Sequence, residues 1–260
     1  MNRPIVSAHR FGDAPAAPAG QVTVSVVSHG HLDMVQRLLG QLAQGHEGAI
    51  HCVVVTHNLP GPGLQTPAGG WPFVVVELHN ARPAGFGANH NKAFAHCADA
   101  YFCVINPDIE WSGDGAWARL LAQARRPGVG CVYPALINAD GSPQDNQRET
   151  PTPAGLFRRH VLRRPQRRVD WASAAFWLLS AQAFRELGGF DARYFMYCED
   201  TDFCLRLQLA GWRLQRAELR LVHHAQRNSR RDLTHLGWHV RSLLRLWFSP
   251  VLREYRARRS

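Results

Sequence analysis

The sequence predicts an α/β fold, a mixed and mostly parallel sheet flanked by helices, and three stretches near its start carry that prediction. Val22-Thr23-Val24-Ser25-Val26-Val27 reads as a strand running out into Ser28-His29-Gly30-His31. Leu32, Val35, Leu38, Leu39 and Leu42 then recur at helical spacing, which places a helix over 32–43. Ile50-His51-Cys52-Val53-Val54-Val55 is a second strand, stopping at Thr56-His57-Asn58. Strand, helix, strand opens a doubly wound nucleotide-binding sheet, whose ligands sit beyond the carboxyl ends of the strands. His29, Gly30, His57 and Asn58 are therefore expected on the binding edge.

The 260 residues suffice for one large domain with a sizeable core. No apolar run approaches the roughly 20 residues of a membrane-spanning helix, and the N-terminus lacks a signal-peptide core, so a cytoplasmic protein is expected. Cys52, Cys97, Cys103, Cys131, Cys198 and Cys204 form no Cys-x-x-Cys pair and read as reduced packing residues. The formal charge of +10 rests on arginine, since Lys92 is the only lysine. One cluster comprises Arg158, Arg159, Arg163, Arg164, Arg167 and Arg168, and a second runs from Arg213 to Arg259. Such a surface suits polyanions, and nucleic acid, anionic headgroups and diphosphates all fit it.

Residues 1–20 are rich in Pro, Ala and Gly without a periodicity that buries a face, and are expected to be a disordered leader. After a Pro- and Gly-rich loop at 59–72, a strand is expected over 73–78. Asn80 to Lys92 contains Gly85-Phe86-Gly87 and then Asn89 and Asn91. The glycines permit close backbone approach to a ligand, or simply a tight turn into a helix over 89–98. Strand 101–105 delivers Asn106-Pro107-Asp108 at its carboxyl end, where Asp108 either closes an ordinary turn or holds a divalent cation against a diphosphate. A strand over 130–137 and a turn at Asp140-Gly141 follow, ahead of the stretch from Val169 to Leu179. Trp171 on it is either a core residue or a platform for a sugar ring.

A helix over 181–187 leads to Gly188-Gly189-Phe190-Asp191 and to Tyr194-Phe195-Met196-Tyr197-Cys198-Glu199-Asp200-Thr201-Asp202. The carboxylates open an amphipathic helix ending at Gly211. Helix-start N–H groups favour their charged form, which would leave one of them a base at neutral pH. Asp202 and Arg206 stand one turn apart and can pair, freeing Glu199 and Asp200 to face a cleft. A short strand around 219–222 ends at His223-His224, followed by Arg227 and Arg230, whose guanidinium groups match phosphate oxygens. The tail puts Leu236, Val240, Leu243, Leu244 and Trp247 on one helical face, which either packs on the domain or lies on an anionic membrane surface.

The stretch from Gly188 to Asp202, with Arg206 and Gly211, resembles the acceptor-side signature of the inverting GT-A glycosyltransferases of family 2. It is most similar to the rhamnosyltransferases that extend lipid-linked N-acetylglucosamine in O-antigen and cell-wall synthesis. The resemblance implies a Rossmann-like GT-A domain over 21–231 and a basic helical extension over 232–260. It makes Asp200 the general base, with Glu199 beside it. Ser28, His29 and Gly30 then hold the nucleotide base, as does His57 where the family carries aspartate, with Asn58 next to it. Gly85, Phe86, Gly87, Asn89 and Asn91 lie against the donor. Asn106-Pro107-Asp108 takes the place of the Asp-x-Asp metal motif with its first aspartate replaced. The His-rich turn supplies a further metal ligand, His223 ahead of His224, and Arg227 or Arg230 clamps the leaving diphosphate. Asp145 and Arg148 fall near the acceptor, as do Trp171 and Tyr197. Val169-Asp170-Trp171 matches the strand into the acceptor site, with Ala174 where glycine is common.

The expected activity is inverting transfer of L-rhamnose from dTDP-L-rhamnose to a polyprenyl-diphosphate-linked N-acetylglucosamine, with Mg2+ or Mn2+, at the inner face of the membrane. No specific nucleic acid is expected. Two alternatives stay open: another nucleotide sugar or acceptor, and an inactive basic module that binds nucleic acid or membrane.

Overall fold

In the computed structural model, residues 7–9, 21–113, 115–153, 155, 168–225 and 233–259 are described. Arg227 and Arg230 lie outside them, as does the first arginine cluster except Arg168. The strands are β1 (Ser7–His9), β2 (Val22–Ser28), β3 (Ile50–His57), β4 (Val74–His79), β5 (Tyr101–Ile105), β6 (Ile109–Glu110), β7 (Val129–Ile137), β8 (Gln147–Arg148), β9 (Trp171–Ala172), β10 (Phe176–Ser180) and β11 (Arg213–His223). The helices are α1 (Leu32–Gln44), α2 (Phe86–Phe94), α3 (Ala116–Ala124), α4 (Ala181–Glu186), α5 (Glu199–Leu209), α6 (Leu233–Trp247) and α7 (Pro250–Ala257).

Nine strands form one sheet in the order β1-β4-β3-β2-β5-β10-β7-β11-β6. Strands β4, β3, β2, β5, β7 and β11 share one direction, while β1, β10 and β6 run against it. The common direction brings the carboxyl ends of the shared strands to one edge. Side chains alternate across the sheet because the strand period is two. Val22, Val24 and Val26 pack with Leu38, Leu39 and Leu42 of α1 and Trp117 and Leu120 of α3 on one face. Val54, Phe102, Val104 and Trp177 pack with Ala93 of α2, Phe184 of α4 and Phe203 and Leu207 of α5 on the other. Each fully buried valine or leucine contributes about 1.5–3 kcal/mol, so both faces are strongly held. All six cysteines are free, and five are buried.

Several expectations change. Ser7–His9 of the leader pairs antiparallel with β4, since an edge strand needs backbone partners and no buried face. Helix α2 begins at Phe86, three residues before the expected start, with Gly85 as its N-cap. The stretch 169–179 carries two strands. Ser173 N–H donates to Asn146 O and Asn106 N–H to Ala175 O, which breaks the run between β9, paired with β8, and β10 in the main sheet. The tail helices pack on α5 through Tyr194, Cys198, Leu205, Leu246, Leu252 and Tyr255. The expected apolar face of α6 divides: Leu243 and Trp247 turn inward, while Leu236, Val240 and Leu244 are exposed.

Candidate active site

Asn106-Pro107-Asp108 follows β5, and β11 ends at His223, so the two meet at the sheet edge. His223 Nε2 lies 3.2 Å from Asp108 Oδ1. Gln144 fixes the imidazole: its Nε2 donates to His223 O and to Asn138 Oδ1, which turns its Oε1 to His223 Nδ1 at 2.8 Å. An amide oxygen only accepts, so Nδ1 donates to it, and Nε2 is the nitrogen that faces the carboxylate. Asp108 Oδ1 is buried with no hydrogen bond. Burial pushes the Asp108 pKa up, but the His223 imidazole beside it more than offsets this and holds it below the usual value. His224 donates its backbone N–H to Asp108 O at 2.9 Å, while its imidazole meets Glu110 at 3.0 Å.

Glu199, Asp200 and Asp202 open α5 as expected, and Arg206 Nε meets Asp202 Oδ2 at 2.7 Å. Burial opposes the expected preference for their charged forms. Burial raises all three pKa values: Asp202 despite Arg206, and Glu199 to well above the ordinary value with Asp200 adding like-charge repulsion. Desolvation beats a helix-terminus effect that is screened at short range. Asp200 rises to about 6, because burial outweighs the Thr201 amide and hydroxyl, the Arg148 guanidinium and the Ala174 amide. Glu199 is buried, with Oε2 unpartnered, and does not face a cleft.

The turn between β9 and β10 links these two centres. The Ala174 amide lies close enough to Asp200 to favour its charged form, and the next residue, Ala175, accepts from Asn106 N–H at 2.8 Å. The carboxylate of α5 and the Asn-Pro-Asp turn thus lie against consecutive residues. Arg148 packs over Trp171, 5.7 Å from the ring centroid, and Trp171 Nε1 donates to Glu149 O. The guanidinium covers an indole face that sequence reading offered to a sugar. Asp170 is fully buried and accepts from Thr150, Tyr255 and Arg259, a structural hub.

The expected donor residues are closely connected. Ser28 O accepts from Asn58 N–H at 2.8 Å. Asn58 Oδ1 accepts from Asn80 Nδ2 and Ala84 N–H, and its Nδ2 donates to Ala84 O and meets His29 Nδ1. Asn80 continues to Asn89 and Lys92. This amide network holds the 80–85 turn, and Asn80 and Lys92 were not singled out for it by the sequence. Gly30 has φ 80°, a left-handed turn that suits glycine. A Cβ on Gly85 would meet Phe195 O at 2.6 Å, and one on Gly87 would meet Phe190 Cβ at 2.5 Å. Asn91 straps Phe190 through both amide ends, at 2.7 and 2.8 Å, a fold contact.

His57 stands at the carboxyl end of β3, with its ring engaged inside the fold. It is 3% exposed, meets Glu77 at 2.7 Å and stacks on His79 at 4.5 Å. Glu77 also accepts from Leu64 N–H, so the group fastens the 59–72 loop. Although ligand-type atoms of His57, Glu77 and His79 lie within 4.8 Å of one another, the rings are 4° from parallel. Imidazole lone pairs lie in the ring plane, so two parallel stacked rings cannot converge on one ion in this arrangement.

Tyr197 and Cys198 have φ of 70° and 62°, a left-handed pair costing on the order of 1–2 kcal/mol per residue. Helix α6 holds them: Tyr197 OH meets His235 Nδ1 at 2.9 Å, Phe195 packs on Trp238, and Ser242 donates to Met196 O. The sequence signal for this clamp is the 235, 238, 239, 242 spacing, one helical face.

The fold is that of the GT-A glycosyltransferases. It superposes on a mannosyltransferase from Pyrobaculum calidifontis solved with GDP-Man and Mn2+, with a TM-score of 0.60 at 16% identity over 94% of this chain and 72% of that one. It also superposes on glucosyl-3-phosphoglycerate synthase from Mycobacterium tuberculosis, with a TM-score of 0.56 at 14% identity over 91% and 80%. The Glycosyl transferase family 2 model matches residues 32–188, and the chain belongs to that family. Among its relatives is the N-acetylglucosaminyl-diphospho-decaprenol L-rhamnosyltransferase of M. tuberculosis, 27% identical over 86% of this chain and 81% of the relative. Another is the rhamnosyltransferase WbbL of Escherichia coli K12, 27% identical over 86% and 91%. The protein is a glycosyltransferase, which sets aside the inactive module. Among the described residues no helix is long and apolar enough to cross a membrane.

Proposed function

We propose that the protein is an inverting rhamnosyltransferase that moves L-rhamnose from dTDP-L-rhamnose to a polyprenyl-diphosphate-linked N-acetylglucosamine, working peripherally at the cytoplasmic face of the membrane. One observation supports the chemistry: the Asn106-Pro107-Asp108 turn is hydrogen-bonded to Ala175, and the adjacent Ala174 amide lies close enough to Asp200 to favour its charged form. Both rhamnosyltransferase relatives support the donor sugar, and the M. tuberculosis relative, which acts on N-acetylglucosaminyl-diphospho-decaprenol, supports the acceptor class.

Asp200 takes the proton from an acceptor hydroxyl as its oxygen attacks the anomeric carbon. The bond from that carbon to the diphosphate oxygen breaks on the opposite side, and configuration inverts. Arg148 and Tyr197 line the acceptor approach, and Glu199, neutral in its buried place, positions Asp200. Asp108 and His223 fit a divalent cation, Mg2+ or Mn2+, because a buried carboxylate oxygen with no hydrogen bond lies 3.2 Å from an imidazole nitrogen that Gln144 holds in place. When bound, such a cation offsets charge on the leaving diphosphate. Arg227 and Arg230 are proposed to meet that diphosphate.

A second reading keeps this chemistry and changes the nucleotide, because His57, paired with Glu77, stands where the family's carboxylate contacts the base. The test is transfer from dTDP-L-rhamnose to a synthetic lipid-diphospho-N-acetylglucosamine, with and without EDTA, for wild type and Asp200→Asn. Metal-dependent product from wild type alone supports the proposal. Product only with another nucleotide sugar selects the second reading, and no transfer from any donor rejects both.

A further inference from the structure

Among the described residues the exposed large hydrophobic side chains are Leu236, Val240, Leu244 and Phe248, at 55%, 48%, 45% and 78% exposure. They recur every four residues on α6 and the residue just past it, an outward ridge about 18 Å long. The opposite side of the helix is occupied by the acceptor loop, through His235, Trp238 and Ser242. Leu246 is fully buried beneath it. One helix therefore carries two apolar faces, and packing among the described residues uses only the inner one. Arg241 is exposed beside the ridge, and α7 adds exposed Arg253 and Arg256.

We infer that this outer face of α6 docks on an anionic lipid bilayer and sets the acceptor loop at its surface, an inference that rests on the lipid-linked acceptor proposed above. A second copy of the chain is a poor occupant, since each copy carries a formal charge of +10 and like charges repel. Nucleic acid would meet the arginines but leave the ridge unpaired. A bilayer satisfies both, taking the apolar ridge into the acyl boundary with the arginines at the headgroups. Only the thickness of one helix, about 10 Å, then separates the bilayer from the loop leading into Glu199 and Asp200. A diphosphate at headgroup level would present its sugar there.

The test is vesicle flotation of the full chain with phosphatidylcholine alone and with added phosphatidylglycerol. The comparison variant carries Leu236→Ser, Val240→Ser, Leu244→Ser and Phe248→Ser, all outward-facing. Wild type is expected to bind anionic vesicles about tenfold or more better than this variant, with both melting alike. Arg241→Glu is expected to weaken binding to anionic vesicles only. Transfer to a short-chain, water-soluble diphospho-N-acetylglucosamine is expected to be equal in wild type and the fourfold variant. Equal flotation of the two, or a wild-type dimer that the fourfold variant converts to monomer, overturns the docking face. Flotation without any transfer retains the face and rejects the acceptor reading.

Discussion

The amide N–H of Phe86 donates to the carbonyl oxygen of Phe195 at 2.9 Å, joining the first turn of α2 to the loop ahead of α5. Gly85 lies against the same carbonyl, with room for hydrogen only. Gly85→Ala should therefore destabilise the fold by about 1–3 kcal/mol and disturb together the loops proposed to hold donor and acceptor. Thermal unfolding and KM for each substrate check this; a rise in one KM alone would show the loops to be independent.

Asp200, raised to about 6 by burial, should make transfer rise with pH through that value and level off above it. Asp200→Asn should cost about 10²–10⁴-fold in kcat while donor binding persists. The stability effect runs oppositely. Between the ordinary value of 3.8 and about 6 the folded state holds more protons than the unfolded, so this group's contribution is lost as pH rises. The asparagine variant should gain stability relative to wild type above pH 6, measured by urea unfolding across the window.

Gln144 holds the His223 tautomer, and Gln144→Leu should weaken Mn2+ binding about 10–100-fold. Titration followed by electron paramagnetic resonance reads this directly. An unchanged affinity would mean that His223 is held some other way, or that Asp108 and His223 do not bind the ion.

Asp170 joins the strand ahead of the acceptor site to the tail through Tyr255 and Arg259. Asp170→Ala leaves the Thr150 amide and hydroxyl without their acceptor and should cost about 3 kcal/mol, seen as a lower Tm. Substrate KM values should hold at temperatures where the variant is folded.

Local patterns were the most legible part of the sequence. Helix α1 follows from five apolar residues at helical spacing, and the Asp202–Arg206 pair from one turn of separation. Strand ends announced Asn106-Pro107-Asp108 and His223, but their meeting needs the registers of β5, β10, β7 and β11, which no single segment encodes. The upward pKa shifts of Glu199 and Asp200 are not legible for a related reason. A helix start is visible in sequence, whereas burial of its carboxylates depends on how the rest of the chain packs around them. His57 reads as a ligand-edge residue until Glu77 and His79, brought beside it by parallel pairing, occupy its ring. On α6, sequence spacing shows the apolar residues but cannot say which half the body of the protein covers.

Strand β10 runs against both neighbours, β5 on one side and β7 on the other. It is a seam: the parallel strands β4, β3, β2 and β5 carry the proposed nucleotide residues, and the part from β7 onward carries the base and the tail. Chimaeras exchanged along this seam would inherit donor choice from one parent and acceptor choice from the other. The Phe86–Phe195 hydrogen bond, made by backbone atoms, would ask little of either parent's side chains.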